Sequence, residues 1–113
     1  MANVIPFAFR GELFSGTHNF SSGGNQFKIA LYTSNPYTTS STAYDTTNEV
    51  SSGGGSNYTA GGEVLGSQAV AASTAVASVD FGDATWSSAT FTAAFAAIYN
   101  DTNSDKLCVV LDF

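Results

Sequence analysis

The sequence is poor in charged side chains. Only 11% of its 113 residues are charged, and nine acids against three bases give a net charge of −6. A surface of this sign would repel a phosphate backbone, so we expect no direct binding of nucleic acid. Polarity comes instead from 15 Ser and 13 Thr. A surface with little mixed charge is weakly protected against association, which favours a protein that acts in an assembly.

Cysteine and histidine occur once each, which limits the chemistry available to the chain. Cys108 lies in the apolar run LCVVLDF, cannot form an internal disulfide, and is expected to be a small buried hydrophobe. His18 lies in GTHNF, and no G-x-S-x-G elbow accompanies it, so a capping or turn role is expected. The sequence therefore predicts a protein that is not an enzyme and needs no cofactor.

Long apolar segments are also missing. No run approaches the eighteen or so residues of a membrane span, and the N-terminus MANVIPFAFRGELF has no basic region ahead of an apolar one. We expect no membrane partner and a leaderless product made in a cytoplasm.

A loop rich in Ser, Thr, Asn and Gly is predicted over residues 34–62. Its run Gly53-Gly54-Gly55 is followed by Ser-Asn-Tyr, whereas a P-loop requires a lysine and a helix at that point. A domain linker is equally disfavoured, because neither flank contains enough elements for a core of its own. The sequence predicts one domain over residues 1–113, with residues 1–8 as a candidate N-terminal arm.

The best metal-binding pattern is DTNSDKLCVVLD, which places Asp101, Asn103 and Asp105 at positions 1, 3 and 5 of a calcium loop. Position 6 is Lys106 instead of glycine, and the second half has the alternation of a strand. A polar hairpin turn explains the same residues. The sequence therefore predicts no metal site, with calcium at this turn as the open alternative.

The fold class is predicted to be mainly β, an antiparallel sandwich or barrel with one short N-terminal helix. Pro6 and Gly16 bound a helix within residues 5–16. Alternation in QFKIALYT predicts a half-buried strand, and further strands are expected in residues 63–72, 75–81, 84–92, 93–100 and 106–113.

Specific faces follow from that alternation. We expect Phe91, Phe95 and Tyr99 to share one face, and Trp86 to be a core aromatic of its strand. In the last strand the inward residues are expected to be Leu107, Val109, Leu111 and Phe113.

Two groups of residues are candidates for an interface. Tyr37, Tyr44 and Tyr58 are spaced through the long loop in a mixture typical of binding loops, although the rings could equally fold back to anchor the loop. The segment NVIPFAF is apolar beyond what a short helix needs. Its Val4, Ile5, Phe7 and Phe9 either cap the domain or form an arm that docks on a neighbour.

Several segments together resemble a group of small virion structural proteins of tailed bacteriophages. They are FRGELFSGTHNF, FKIALYTS, TAYDTTNEV, YTAGGEVL, TWSSATFTAAFAAIYND and a closing LDF, in that order, while SSGGGSN before YTAGG departs from the pattern. The resemblance implies a capsid decoration, or cement, protein on the outer surface of the phage head. It also implies the major capsid protein as partner and self-association, as a homotrimer.

Two other functions stay open at this point. A tail-associated, adaptor or host-surface-binding virion protein would use the tyrosines of the loop to contact a receptor or glycan. A small metal-dependent hydrolase would need the Asp101–Asp105 turn to bind its ion.

Overall fold

A computed structural model describes residues 3–53 and 55–113, so that residues 1 and 2 of the predicted arm and Gly54 of the glycine run lie outside the described residues. One helix, α1 (Phe7–Phe14), precedes six strands. The strands are β1 (Phe27–Tyr32), β2 (Glu63–Leu65), β3 (Ala69–Ala72), β4 (Ala77–Asp80), β5 (Phe95–Asn100) and β6 (Lys106–Asp112). The prediction of a mainly β fold with one short helix is confirmed.

Four strands form the main sheet, in the order β2-β1-β5-β6, and every neighbouring pair is antiparallel. The central strands are in register from Phe27 opposite Asn100 to Tyr32 opposite Phe95. Strands β3 and β4 pair only with each other and form a separate hairpin. The described part of the chain contains no helix long and apolar enough to cross a membrane.

Two predicted strands differ in the structure. Residues 84–92, all of them described, form turns and extended chain without strand pairing. The predicted strand over residues 63–72 divides into β2 and β3, because Ser67 adopts φ 52°, a left-handed conformation that interrupts a strand. Trp86 therefore does not belong to a strand, although its ring packs partly buried beside Tyr58 and Phe91.

The predicted faces of β5 and β6 need correction as well. Phe91 precedes β5 and packs beside Leu31 and Ala96, on the opposite side of the sheet from Phe95 and Tyr99. In β6, Ile98 lies opposite Val109 but Tyr99 lies opposite Leu107, so Cys108 is the extra residue of a β-bulge. The bulge shifts the alternation, so that Leu107, Cys108 and Val110 are buried while Phe113 is 71% exposed.

Both faces of the main sheet are covered, so β1 is not half-buried as its alternation predicted. On the first face, Ala30, Tyr32, Ala97, Tyr99, Leu107 and Val110 pack against Tyr37 and Tyr44 of the long loop. On the second face, the buried sheet residues are Phe27, Leu31, Ala96 and Cys108. They are covered by Phe9 of helix α1, by Phe20 after the helix, and by Phe81 and Trp86 after β4. A single sheet thus carries two apolar layers, closed mainly by irregular chain and, on the second face, by helix α1 as well.

The long loop passes from the first face around the edge of β1 to the second. Residues near Glu49 pair beside the end of β1, with Val50 N donating to Leu31 O at 2.9 Å. At the return, Gly62 has φ 80°, and a Cβ added there would lie 1.8 Å from the carbonyl oxygen of Ile29. Only glycine can bring the backbone this close to β1.

Candidate functional site

The one histidine lies inside the molecule and joins helix α1 to the sheet. His18 Nε2 is 2.8 Å from Glu12 Oε1, and Lys106 Nζ lies 3.5 Å from the other oxygen of Glu12. On the opposite side of the ring, Asn100 Nδ2 is 3.0 Å and Cys108 Sγ 3.8 Å from His18 Nδ1. Cysteine, histidine and glutamate are therefore adjacent, which their positions at 108, 18 and 12 did not predict.

The protons of this cluster are fixed by Asn100. Its oxygen accepts hydrogen bonds from the backbone amides of Thr102 and Asn103, so its nitrogen faces His18 and can only donate. His18 Nδ1 must then accept, and the ring proton belongs on Nε2, where it is donated to Glu12. A base that activates the thiol would need Nδ1 free to take the proton of Cys108.

The thiol itself is held in its neutral form. Burial, with a further contribution from the charge of Glu12, raises the pKa of Cys108 to about 12. Because the thiolate is the nucleophilic form, this environment is opposite to that of a reactive cysteine. What the cluster does in this geometry is attach the helix to β5 and β6.

A second polar cluster fastens the long loop. The carboxylate of Glu49 accepts hydrogen bonds from the hydroxyls of Tyr44 and Tyr58, the latter at 2.6 Å, and from Gly61 N at 2.8 Å. Burial is the main cause of a raised pKa for both tyrosines, and the bonds to Glu49 raise it further. These phenols stay protonated and act as donors.

Tyr32 and Tyr37 form a pair on the first face of the sheet. Their hydroxyl oxygens are 2.5 Å apart, and Tyr32 donates to Asp45 O at 2.6 Å. Burial raises the pKa of both phenols. The loop is thus joined to the sheet through its aromatic side chains.

The structure places the predicted interface residues in two different environments. Tyr37 and Tyr58 are 4% and 2% exposed and Tyr44 is half-buried, so of the two alternatives for these rings the geometry fits the loop anchor. In the isolated subunit Tyr37 and Tyr58 are buried and offer little contact surface, and an interface role for them stays a prediction.

The N-terminal candidates are more exposed. Val4 and Val110 exchange two backbone hydrogen bonds of 2.9 and 2.8 Å, so the segment adds to the edge of β6 in its own subunit. Ile5 and Phe7 nevertheless remain 46% and 58% exposed, and Phe9 is partly buried beside Phe27.

The Asp101–Asp105 turn makes contacts that suit a hairpin connection. Asp101 accepts a hydrogen bond from Gln26, and Asn103 donates its amide to the backbone oxygen of Thr17. Burial and the neighbouring Asp101 raise the pKa of Asp105. Within residues 3–53 and 55–113, no group of three His, Cys, Asp or Glu side chains could hold a metal ion.

An apolar groove separates helix α1 from the hairpin, and we call it the helix–hairpin groove. Its volume is about 580 Å³ and it is open to solvent. Ile5 and Leu13 line its helix side, and Val79 and Phe81 line its hairpin side. Ile98 and Val109 of the main sheet form its floor. The hairpin contacts no other helix or strand in the described part of the chain, and all eight of its strand residues are exposed.

The outer side of the helix is also apolar. Phe7 and Phe14 are seven positions apart and share this side, and Phe14 is 95% exposed. The guanidinium of Arg10 lies 5.6 Å from the ring centre of Phe7. No residue of α1 is buried. The two exposed phenylalanines thus form an apolar strip along the outer side of α1 in the isolated subunit.

Comparison with protein-family models, curated proteins and solved structures found no match for this chain. The resemblance to phage virion proteins therefore stays a prediction from the sequence.

Sequence reasoning missed the groove and the polar cluster of His18. The hairpin did carry a signal: Val70 and Val79 lie opposite one another, as do Ala72 and Ala77, so one side of the hairpin is entirely apolar. The cluster carried no comparable signal, because its members are brought together from positions 12, 18, 100 and 108 only by the fold.

Proposed function

We propose that this chain is a non-enzymatic structural subunit of a bacteriophage virion, a decoration protein that binds the major capsid protein on the outer head lattice. The observation that carries the proposal is the uncovered outer side of helix α1, where Phe7 and Phe14 are 58% and 95% exposed. The resemblance noted in the sequence supplies the virion context, and the exposed helix supplies a means of attachment.

Energetics support attachment through this helix. Burying one phenylalanine contributes about 1.5–3 kcal/mol before the costs of association, so two such side chains give a modest affinity per copy. Modest affinity is sufficient for a protein bound at many equivalent sites of a lattice. Both faces of the main sheet are covered, and the helix is attached to this sheet through the cluster of His18.

The alternative of a tail or receptor-binding protein placed its contacts on the tyrosines of the long loop. Tyr37 and Tyr58 are buried within the subunit, and all three hydroxyls are engaged in internal hydrogen bonds. The exposed helix therefore favours the decoration role.

Copy number in purified virions of the encoding phage tests the proposal. Hundreds of copies per particle in a quantitative gel would support decoration of the head, whereas about six or twelve copies would contradict it, as expected for a ring in the tail. Attachment can be tested by adding protein back to heads that lack it. We expect Phe14→Asp to lose binding and Val64→Asp, at a residue 50% exposed on β2, to retain it.

A further inference from the structure

We propose that the helix–hairpin groove is covered by a second copy of this chain, with the helix side of each groove facing the hairpin of another subunit. This inference rests on the proposed function only for the virion setting, and the contact itself is argued from the groove and the hairpin. The surface adjoins the outer side of the helix that we assign to the capsid, and Arg10 lies at the border, three positions from both Phe7 and Leu13.

The first argument is that the hairpin is incomplete by itself. A two-stranded hairpin is marginally stable in water, and β3 and β4 have no further strand and no contact with another helix or strand in the described residues. Val70 and Val79 on its apolar side are 52% and 42% exposed. Contact with another subunit would remove these side chains from water.

The second argument is the size of the apolar surface. Leu13 across the groove is 46% exposed, as is Ile5, and Val76 at the hairpin turn is 64% exposed. Monomers seldom expose one apolar patch above a few hundred Å². A standard contact buries roughly 800 Å² per partner. We place the exposed apolar residues of the groove and hairpin at the centre of such a contact.

The third argument is charge, and it points to a second copy in particular. Arg10 lies one helical turn from Leu13, and it has no carboxylate partner among the described residues. On the other side of the groove, Asp80 ends β4 and Asp83 follows it. Within residues 3–53 and 55–113 neither carboxylate has a cationic partner.

A symmetric assembly would bring these unpaired charges of neighbouring subunits together. If the helix side of one subunit faces the hairpin of the next, Arg10 meets Asp80 or Asp83 of the neighbour, and the contact repeats in a closed dimer or trimer. The same contact gives the acidic chain an attractive pair at the rim of an otherwise uncharged interface. A small apolar ligand would satisfy the groove but not these charges.

Sedimentation equilibrium of the full chain over a range of concentrations tests the inference. We expect a dimer or trimer for the natural sequence, and a dissociation constant raised roughly tenfold or more by Val79→Asp. Val64→Asp is the matched control, because that valine is 50% exposed but lies on β2 away from the groove, and it should leave association unchanged. Circular dichroism verifies that both variants are folded.

Charge exchange sharpens the test. Arg10→Glu should weaken association, and Arg10→Glu combined with Asp80→Arg and Asp83→Arg should restore it. A monomer at every concentration, or an oligomer equally affected by Val79→Asp and Val64→Asp, would overturn the inference. Neither result would touch the proposed function, which is lost instead if the chain associates normally but is absent from virion heads.

Discussion

The long loop and the helix–hairpin region are both attached to the same sheet, but they are completed in different ways. The loop is fastened by buried tyrosines and by Glu49, which accepts three hydrogen bonds. The helix has no buried residue and the hairpin has only exposed strand residues. The chain therefore closes one region with its own side chains, whereas the other stays exposed in the isolated subunit and is the region that we propose another molecule covers.

Cys108 lines the helix–hairpin groove yet is only 2% exposed. With its pKa raised to about 12, its thiolate fraction at neutral pH is about a thousandfold below that of an ordinary thiol. A thiol-specific reagent should thus react about a thousandfold more slowly in native protein than in urea. A similar rate in both would contradict the burial of the Cys108 thiol.

Truncating one leucine in each of the two regions compares how much their packing contributes to the free energy of unfolding. Leu107→Ala, at a residue 1% exposed beneath the long loop, should lower the free energy of unfolding by about 2–5 kcal/mol. Leu13→Ala, at a residue 46% exposed, should cost less than about 1 kcal/mol in dilute protein. Urea unfolding measures both, and equal losses would contradict the contrast between the regions.

The polar anchor of the loop can be removed separately. Glu49→Ala leaves the hydroxyls of Tyr44 and Tyr58 and the amide of Gly61 without their acceptor, and should cost about 1–3 kcal/mol in urea unfolding. Glu63→Ala, on an exposed position of β2, is the control and should change stability by less than about 0.5 kcal/mol. If both variants lose the same stability, Glu49 is not an anchor.

The smallest expected effect is a pH dependence at the β5–β6 turn. The raised pKa of Asp105 means that the folded state favours its protonated form, so this group's contribution to stability is present below its ordinary pKa and is lost as pH rises through the raised pKa. Asp105→Asn should therefore gain about a few tenths of a kcal/mol at neutral pH relative to acid, since the site is well solvated.

Asp45 supplies the control of opposite sign. Hydrogen bonds from Thr47 lower the pKa of Asp45, so its contribution appears as pH rises and is lost as pH falls through the lowered value. Asp45→Asn should lose stability at neutral pH. Thermal melts at several pH values distinguish the two, and the same sign for both variants would refute the assignment.

The sequence was sufficient for the antiparallel strands β1, β5 and β6 and for the short helix, because alternation and the bounding Pro6 and Gly16 are local signals. It was not sufficient for the strand predicted over residues 84–92, whose apolar Trp86 and Phe91 pack over the second face from irregular chain. Alternation cannot distinguish a strand from a loop that buries the same residues.

The candidate interface residues show the same contrast between what the sequence reveals and what only the fold decides. The apolar character of Ile5, Phe7 and Phe9 was visible as an excess over what a short helix needs, and the structure leaves Ile5 and Phe7 exposed. The tyrosine spacing was equally visible but ambiguous, because a ring with one polar atom can bind a partner or anchor its own loop. Only the positions of Glu49 and Asp45 decide between them.

Hydrogen exchange of backbone amides at low and high protein concentration tests the central contrast most directly. Amides of β3 and β4 and of helix α1 should exchange rapidly in dilute protein and become protected as subunits associate, while those near Leu31 and Val50 stay protected throughout. Hairpin amides protected equally at every concentration, or both regions changing together, would contradict the view that one is closed by the chain and the other by a second copy.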